Sequence, residues 1–266
     1  MGDGPVPAID EGVLDPDAAA WLEANPQSLD WIKEGFPPEI LELARTFEGM
    51  PPTRHIDHVD DEVVDGVRVR IYRNDATPTA LIVYFHGGAF VIGSIAIMDG
   101  VARELTHATG AVVVSVEYGL APESPYPAGV NDCVTVTSWA LQNASRFGLS
   151  AESVVVAGES AGGNLATVVP MKLRDDGAPQ VAGQILVYPA TDGTDATYPS
   201  RDQFGHADWV LEMYGGGRDI SQEPYAVPMR AKTLAGLPPA LVLVGGCDPL
   251  RDEGRAYAQR LRADGV

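Results

Sequence analysis

Short, nearly uninterrupted apolar runs alternate with helical stretches from residue 80 onward, and this alternation restricts the fold more than any other feature. The runs are residues 80–85, 111–116, 154–157, 184–188 and 240–244. Strands that are apolar on both sides belong in a mostly parallel sheet that helices cover on both faces. We therefore expect an α/β fold, with helices over about 98–109, 127–145, 161–175 and 251–263.

The segments outside this alternation have weaker patterns. Residues 55–73 alternate apolar and polar around Asp65-Gly66, which predicts an antiparallel hairpin. Residues 11–50 are typical of two short helices broken by prolines, the first starting near Asp15. Residues 191–236 are rich in Gly, Pro and Asp, with one helical stretch near 207–214. We interpret them as an insertion over the sheet, within a single domain spanning residues 1–266.

Composition narrows the functional classes. A net charge of −19 argues against nucleic-acid binding, which requires a basic surface. No apolar run reaches the roughly 18 residues of a membrane span, and the N-terminus lacks the pattern of a secretory signal. We expect a cytoplasmic protein. Cys133 and Cys247 are too few for a disulfide framework or a zinc site, and Cys133 fits a core position.

A Gly-Glu-Ser-Ala-Gly-Gly segment at residues 158–163 follows a predicted strand and precedes a predicted helix. This context is the one that a nucleophile elbow requires, in which a sharp turn exposes the serine hydroxyl. Gly158 and Gly162 flank the turn, where small residues are needed to avoid a clash. The helix N-terminus favours developing negative charge. Ser160 is therefore the candidate nucleophile; the alternative is a glycine-rich turn with an incidental serine.

A His-Gly-Gly-Ala-Phe segment at residues 86–90 follows the strand that ends at residue 85. Two consecutive glycines let the backbone approach a substrate and turn its amides toward a developing oxyanion. The amides of Gly87 and Gly88, together with that of Ala161, would form a three-donor oxyanion hole. The alternative is merely a tight loop. We expect His86 to brace this loop by hydrogen bonding rather than to act as a base.

Asp248 lies just past the end of the last predicted strand. Carboxyl-end loops of a parallel sheet are where a triad carboxylate is positioned to orient a histidine. Asp248 is therefore the candidate triad acid. The alternative is a helix-capping aspartate.

These segments together resemble the hormone-sensitive-lipase-like esterases (bacterial family IV) from roughly residue 30 to the end. The resemblance includes Glu-Tyr-Gly-Leu-Ala-Pro-Glu at 117–123, Pro-Tyr-Pro-Ala at 125–128, Glu-Pro-Tyr-Ala at 223–226 and Leu-Pro-Pro-Ala at 237–240. It implies an α/β-hydrolase fold with a helical cap formed by residues 1–50 and about 195–220. It also implies a role for each matching residue: Ser160 as nucleophile, Asp248 as triad acid, and Gly87, Gly88 and Ala161 as oxyanion donors. Candidates for the apolar lining of the cap, with core packing as the alternative, are Trp21, Trp209, Met213 and Tyr214.

Three departures from the family pattern are visible. Ala89 replaces the usual third glycine, and Glu159 stands where the family commonly has Asp. In the family, the catalytic histidine lies about 30 residues beyond the acid, after one more strand and before a final helix. We therefore expect this chain to lack that strand, that histidine loop and that helix, and to be impaired as an enzyme. The histidines that are present and poorly placed to act as base are His55, His58, His107 and His206.

The resemblance implies a serine carboxylesterase that acts on short-chain acyl esters through an acyl-enzyme. No cofactor or metal is implied, the expected partner is a small-molecule ester, and a homodimer stays open. Two alternatives remain at this point. One is a non-catalytic small-molecule binding protein on a hydrolase scaffold; the other is a related amidase or formamidase, which would use the same residues.

Overall fold

The computed structural model describes residues 13–25, 34–47, 50–52, 54–194, 197–204 and 207–266. The strands within these ranges are β1 (His58–Val64), β2 (Val67–Arg73), β3 (Leu81–Phe85), β4 (Val112–Glu117), β5 (Val154–Glu159), β6 (Gly183–Val187) and β7 (Ala240–Leu243). The helices there are α1 (Pro16–Ala24), α2 (Pro38–Thr46), α3 (Asp99–Thr109), α4 (Ala128–Asn143), α5 (Ala161–Asp175), α6 (Pro199–Phe204), α7 (Trp209–Tyr214) and α8 (Arg251–Ala263).

The strands form one sheet in the order β1-β2-β4-β3-β5-β6-β7. β1 and β2 pair antiparallel, as do β2 and β4, and every later pairing is parallel. The five apolar runs of the sequence are the five strands of the parallel part. All five residues of β3 are buried, because this central strand is covered on both faces. The predicted α/β architecture is confirmed.

The predicted hairpin is also present. Val64 pairs with Val67 across a two-residue turn, at which Asp65 has φ 47° and Gly66 has φ 93°. Two consecutive left-handed residues form the kind of turn whose twist matches that of antiparallel strands. The Asp-Gly pair supplies them because Gly lacks a Cβ and Asp tolerates this conformation.

Alternate residues of the central strands feed two separate cores. On one face, Ile82 and Tyr84 pack in a small cluster with Ala102 of α3. On the other face, Val83 belongs to a larger cluster that includes Leu165 of α5 and residues of α4 and α8. This division follows from the period of two along a strand, since neighbouring side chains point to opposite faces. Cys133 is fully buried in the larger cluster, as predicted.

The N-terminal helices contribute little to either core. Asp15 caps α1 by accepting hydrogen bonds from the amides of Asp17 and Ala18. No residue of α1 or α2 is buried, and Trp21 is 57% exposed. Leu22 and Phe36, the other large apolar residues of this region that the structure describes near Trp21, are only partly buried. That these helices form a cap stays a prediction.

The insertion contains the helix predicted near its middle, α7, and a second helix, α6, that the sequence analysis missed. Pro199 at the start of α6 is the signal that could have indicated it, since proline is favoured in the first turn of a helix. Within the described ranges, none of the helices combines the length and the apolar character needed to cross a bilayer.

Candidate active site

Ser160 occupies the sharp turn between β5 and α5. It has φ 55° and ψ −118°, a left-handed conformation that is strained for a residue with a Cβ. A Cβ at Gly158 would lie 2.3 Å from the carbonyl oxygen of Gly162, and one at Gly162 would lie 2.0 Å from that of Phe85. Neither position can hold a side chain. The elbow predicted from the spacing of these glycines is therefore the conformation observed.

Hydrogen bonds from the neighbouring strand hold this strained turn. The amide of Ser160 donates to the carbonyl of Val187 at 3.0 Å, and the amide of Ala190 donates to the carbonyl of Ser160 at 3.1 Å. The Ser160 carbonyl also accepts from the amide of Asn164 at 3.0 Å, in the first turn of α5. Asn164 in turn donates its side-chain amide to the carbonyl of Ala190 at 2.7 Å. Strain persists only where the surroundings over-determine it, as they do here.

The loop after β3 makes a tight turn beside the elbow. Gly88 has φ 121°, and a Cβ there would lie 2.1 Å from the carbonyl oxygen of Ile92. The Gly88 carbonyl accepts hydrogen bonds from the amides of Val91 (3.0 Å) and Ile92 (2.9 Å). Ala89 follows with φ 54°. Only glycine fits at residue 88, as the two-glycine motif suggested, whereas alanine tolerates the left-handed conformation at the next position.

The amide of Gly87 does not fit the role predicted for it. It donates a hydrogen bond to Oε1 of Glu159 at 2.6 Å, so it is committed to a carboxylate within the protein. Among the described residues, by contrast, none accepts a hydrogen bond from the amides of Gly88 and Ala89. The two-glycine motif predicts both glycines as donors, but nothing in the local sequence indicates that the residue before Ser160 reaches the first of them.

His86 braces the loop as expected. Its side chain is buried, its ring stacks on Tyr118 with centroids 4.3 Å apart, and Nδ1 lies 2.7 Å from the carbonyl oxygen of Gly87. Burial lowers the pKa of His86, so the imidazole is neutral. Nδ1 must then carry the proton, because a carbonyl oxygen can only accept. The hydroxyl of Tyr118 donates to the carbonyl of His86 at 2.6 Å and holds the loop from the other side.

Asp248 follows β7 and faces the same cavity as Ser160. One of its carboxylate oxygens, Oδ1, accepts a hydrogen bond from the amide of Leu250 at 2.7 Å. Burial raises the pKa of Asp248, and this hydrogen bond opposes the increase. This hydrogen bond does not cap α8, because that helix begins at Arg251 and has no side-chain cap, and it occupies only one oxygen of the carboxylate.

A cavity of about 410 Å³ connects these residues, and its walls are mostly apolar. Its lining includes Ala89 and Phe90 of the loop after β3, and Ser160 and Ala161 of the elbow. The other lining residues come from four parts of the chain. They are Asn164 of α5; Tyr188 and Ala190 after β6; Gly193, Arg201, Ala207, Val210, Leu211 and Ala226 of the insertion; and Cys247, Asp248, Pro249, Leu250 and Glu253 after β7.

The cap residues chosen from the sequence do not line this cavity. Trp209 packs edge-on against Phe36, with ring centroids 5.4 Å apart, and Trp21 is largely exposed. Tyr214 is buried in the core and stacks on Phe90 with centroids 3.8 Å apart, which supports one cavity wall from behind. Their neighbours on α7 line the cavity instead, namely Val210 and Leu211.

Sequence reasoning also missed a buried ion pair in the cavity wall. Arg201 of α6 contacts the carboxylate of Glu253 in α8, and both side chains are almost completely buried. Glu253 Oε1 further accepts hydrogen bonds from the amides of Thr191 (2.7 Å) and Asp192 (3.1 Å). These residues are distant in sequence, and no local pattern connects them.

Comparisons with known proteins agree with this geometry. A family model described as the alpha/beta hydrolase fold matches residues 82–266. Esterase LipI of Mycobacterium tuberculosis is 37% identical over 230 residues, 81% of this chain and 71% of the relative. Carboxylic ester hydrolase LipN of the same organism is 39% identical over 239 residues, 82% of this chain and 63% of the relative.

Solved structures give the same result. An esterase from Pyrobaculum calidifontis superposes with a TM-score of 0.79 at 37% identity, covering 96% of this chain and 87% of that one. The sheet order, the strained serine elbow and these sequence identities agree. The chain belongs to the α/β-hydrolase fold family, within its hormone-sensitive-lipase-like carboxylesterase group.

Proposed function

We propose that this protein is a serine carboxylesterase for short-chain acyl esters, with Ser160 as nucleophile. The observation that carries the proposal is the strained turn of Ser160, which lines one apolar cavity together with Asp248 and with Ala89 and Phe90 of the loop after β3. The Ser160 oxygen forms a bond to the ester carbonyl carbon while a base takes its proton, and the carbonyl oxygen becomes an oxyanion. The bond between the carbonyl carbon and the alcohol oxygen then breaks, and that oxygen takes the proton and leaves as the alcohol. Water hydrolyses the acyl-enzyme and releases the acid. LipI, LipN and the Pyrobaculum protein are named as esterases, which supports this reaction.

The oxyanion donors in this proposal are the amides of Gly88, Ala89 and Ala161, with Gly87 removed from the predicted set. In a trans peptide the N–H and C=O groups point in opposite directions. His86 holds the Gly87 carbonyl, and the amides of residues 91 and 92 hold the Gly88 carbonyl. The amides of Gly88 and Ala89 are thereby aimed away from these contacts. Ala161 begins α5, and the first amides of a helix have no intrahelical partner.

The preference for short acyl groups rests on the size and lining of the cavity. Its volume of about 410 Å³ lies toward the small end of the usual range for ligand pockets. Phe90, Val210 and Leu211 present apolar side chains to an acyl chain. Such walls favour uncharged, apolar acyl groups, because burying a charge without a partner is costly.

The general base remains a prediction. Asp248 is the acid that would orient a histidine. Of the described histidines, His55, His58, His86 and His107 do not line the cavity, and residue 206 lies outside the described residues. We propose that none of these four described histidines is the triad base, and that Ser160 is therefore weakly activated.

Chemical rescue tests both parts of the proposal. Hydrolysis of p-nitrophenyl butyrate and fluorophosphonate labelling are measured for the wild type and for Ser160→Ala, with and without added imidazole as an external base. After subtraction of the protein-free rate that imidazole itself causes, we expect slow labelling and hydrolysis that imidazole accelerates in the wild type but not in Ser160→Ala. Equal rates for the two proteins under both conditions would exclude Ser160 as the nucleophile. Rapid labelling of the wild type without imidazole would instead show that a base is already present.

A further inference from the structure

Glu159 links the two halves of the proposed catalytic machinery. It is the last residue of β5 and directly precedes Ser160, and its Oε1 accepts the amide of Gly87 at 2.6 Å. The contact is close: a Cβ at Gly87 would lie 3.2 Å from this oxygen and 3.1 Å from the Glu159 carbonyl oxygen. A hydrogen bond to an ionised carboxylate is roughly twice as strong as one between neutral groups.

The sheet brings these residues together. β3 and β5 are adjacent and parallel, and Phe85 pairs with Gly158. The loop that leaves β3 and the elbow that leaves β5 therefore start side by side. Glu159 is one residue beyond the paired Gly158, and its side chain extends from the elbow to the loop after β3, where it contacts Gly87.

The peptide between His86 and Gly87 is consequently held at both ends. Its carbonyl accepts the hydroxyl of Tyr118 at 2.6 Å, and its amide donates to Glu159 at 2.6 Å. Two opposed hydrogen bonds fix the plane of a peptide, because its six atoms are coplanar. The next two peptides contain the amides of Gly88 and Ala89, so a rotation of this peptide plane would also displace the proposed oxyanion donors.

We propose that Glu159 is a positioning residue that sets the oxyanion loop relative to Ser160 by holding the Gly87 amide. This inference rests on the proposed function, since it assigns Glu159 a part in the same reaction. Glu159 does not contact the ester; it acts through Gly87. A misplacement of about 1 Å in a catalytic group costs on the order of 10²-fold in rate, and the loss of one oxyanion donor costs about 10²–10³-fold.

The proposal also predicts a pH dependence. The titratable groups that face Glu159 are the phenols of Tyr84, Tyr118 and Tyr188. Burial raises the pKa of Glu159, and the Gly87 amide opposes the increase. The ionised carboxylate is present above this pKa and is lost as the pH falls through it. The positioning contribution should therefore decline on the acid side, at a higher pH than an ordinary glutamate would give.

The test compares Glu159→Ala, which removes the acceptor, with Glu159→Gln, which keeps a neutral acceptor. Glu117→Gln is the matched control, because Glu117 ends β4 and accepts the amide of Ile95 at 2.9 Å in the same loop, beyond the tight turn. The measurements are kcat and KM for p-nitrophenyl butyrate with imidazole present, the pH profile, and hydrogen–deuterium exchange of residues 86–92.

We expect Glu159→Ala to lower kcat about 10²-fold with KM little changed, and to increase exchange in residues 86–92. Glu159→Gln should retain most of kcat, and its pH profile should lack the decline in rate that protonation of Glu159 causes on the acid side. Glu117→Gln should have the kcat, KM and exchange of the wild type. If Ser160→Ala is inactive while Glu159→Ala keeps a wild-type kcat, the positioning role is wrong and the esterase proposal stands. If Ser160→Ala reacts as the wild type does, the esterase proposal fails and this inference fails with it.

Discussion

Arg201 and Glu253 form an ion pair in which the side chains are only 5% and 1% exposed. The pair joins α6, in the insertion, to α8, which follows the loop bearing Asp248. A second contact reinforces it, because the hydroxyl of Ser200 donates to the carbonyl of Pro249 at 2.9 Å. The wall of the cavity is thus fastened directly to the loop that carries the proposed triad acid.

Breaking this pair on one side should destabilise the fold strongly. Arg201→Met leaves the Glu253 carboxylate buried without its cation, and we expect the free energy of unfolding to fall by about 3–5 kcal/mol. The double variant Arg201→Met/Glu253→Leu removes both charges and should recover part of this loss, because the amides of Thr191 and Asp192 lose their acceptor. Urea denaturation measures each value. The control is Lys172→Met, since Lys172 pairs with Asp176 on the surface and should cost at most about 1 kcal/mol. Additive losses in the double variant would contradict the expectation.

Glu253 should make stability depend on pH. Burial raises its pKa to about 7, against the opposing effects of Arg201 and two backbone amides. In the unfolded state a glutamate has a pKa of about 4.3. At a pH between this value and the folded pKa of about 7, the folded state binds more protons than the unfolded state. The free energy of unfolding should therefore fall as the pH rises toward 7 and level off above it, with a slope of up to about 1.4 kcal/mol per pH unit.

Glu253→Gln, compared with the wild type by urea denaturation from pH 5 to pH 8, isolates this contribution. Other carboxylates titrate in both proteins and cancel in the difference. The variant has no titrating group at this position, so the stability of the wild type relative to the variant should fall as the pH rises to 7 and level off above it. A difference that does not change with pH would show that Glu253 is ionised across this range.

Substitution of Gly158 or Gly162, the closely packed glycines of the elbow, should lower the rate of ester hydrolysis more than substitution of a glycine elsewhere. Gly162→Ala places a Cβ 2.0 Å from the carbonyl oxygen of Phe85, so the elbow must move. We expect a stability loss of about 1–3 kcal/mol and a fall of about 10²-fold in the Ser160-dependent rate. Gly148→Ala is the control: its φ is 72° and no atom lies within 4 Å of the added Cβ. It should lose about 1–2 kcal/mol of stability without losing rate.

Leu211 should limit the length of the acyl chain. Its side chain lines the cavity, and Leu211→Ala would enlarge the apolar space beside Gly193. For acyl groups too long for the wild type, kcat/KM should rise about 4-fold for each added methylene that the new space accepts, from about 0.8 kcal/mol per methylene. Rates with p-nitrophenyl esters of increasing length measure this. Leu43→Ala, at a residue 60% exposed on α2, should leave the profile unchanged. An unchanged profile in Leu211→Ala would place the acyl chain elsewhere.

Local sequence by itself determined the parallel strands, the Asp65-Gly66 hairpin and the serine elbow. Each depends on interactions between residues close in the chain: the period of side chains along a strand, the left-handed turn, and the clash that forbids a Cβ at Gly158 and Gly162. A single sequence contains that information, and the predictions were confirmed.

Only the tertiary structure decided which groups meet across neighbouring loops. The Gly87 amide is committed to Glu159, 72 residues away, because β3 and β5 are adjacent in a sheet whose strand order does not follow the chain. Arg201 meets Glu253 across 52 residues for the same reason, since α6 and α8 pack together. A hydrogen bond or an ion pair leaves no periodic pattern in the sequence, so its partners become visible only once the strands have an order and a register.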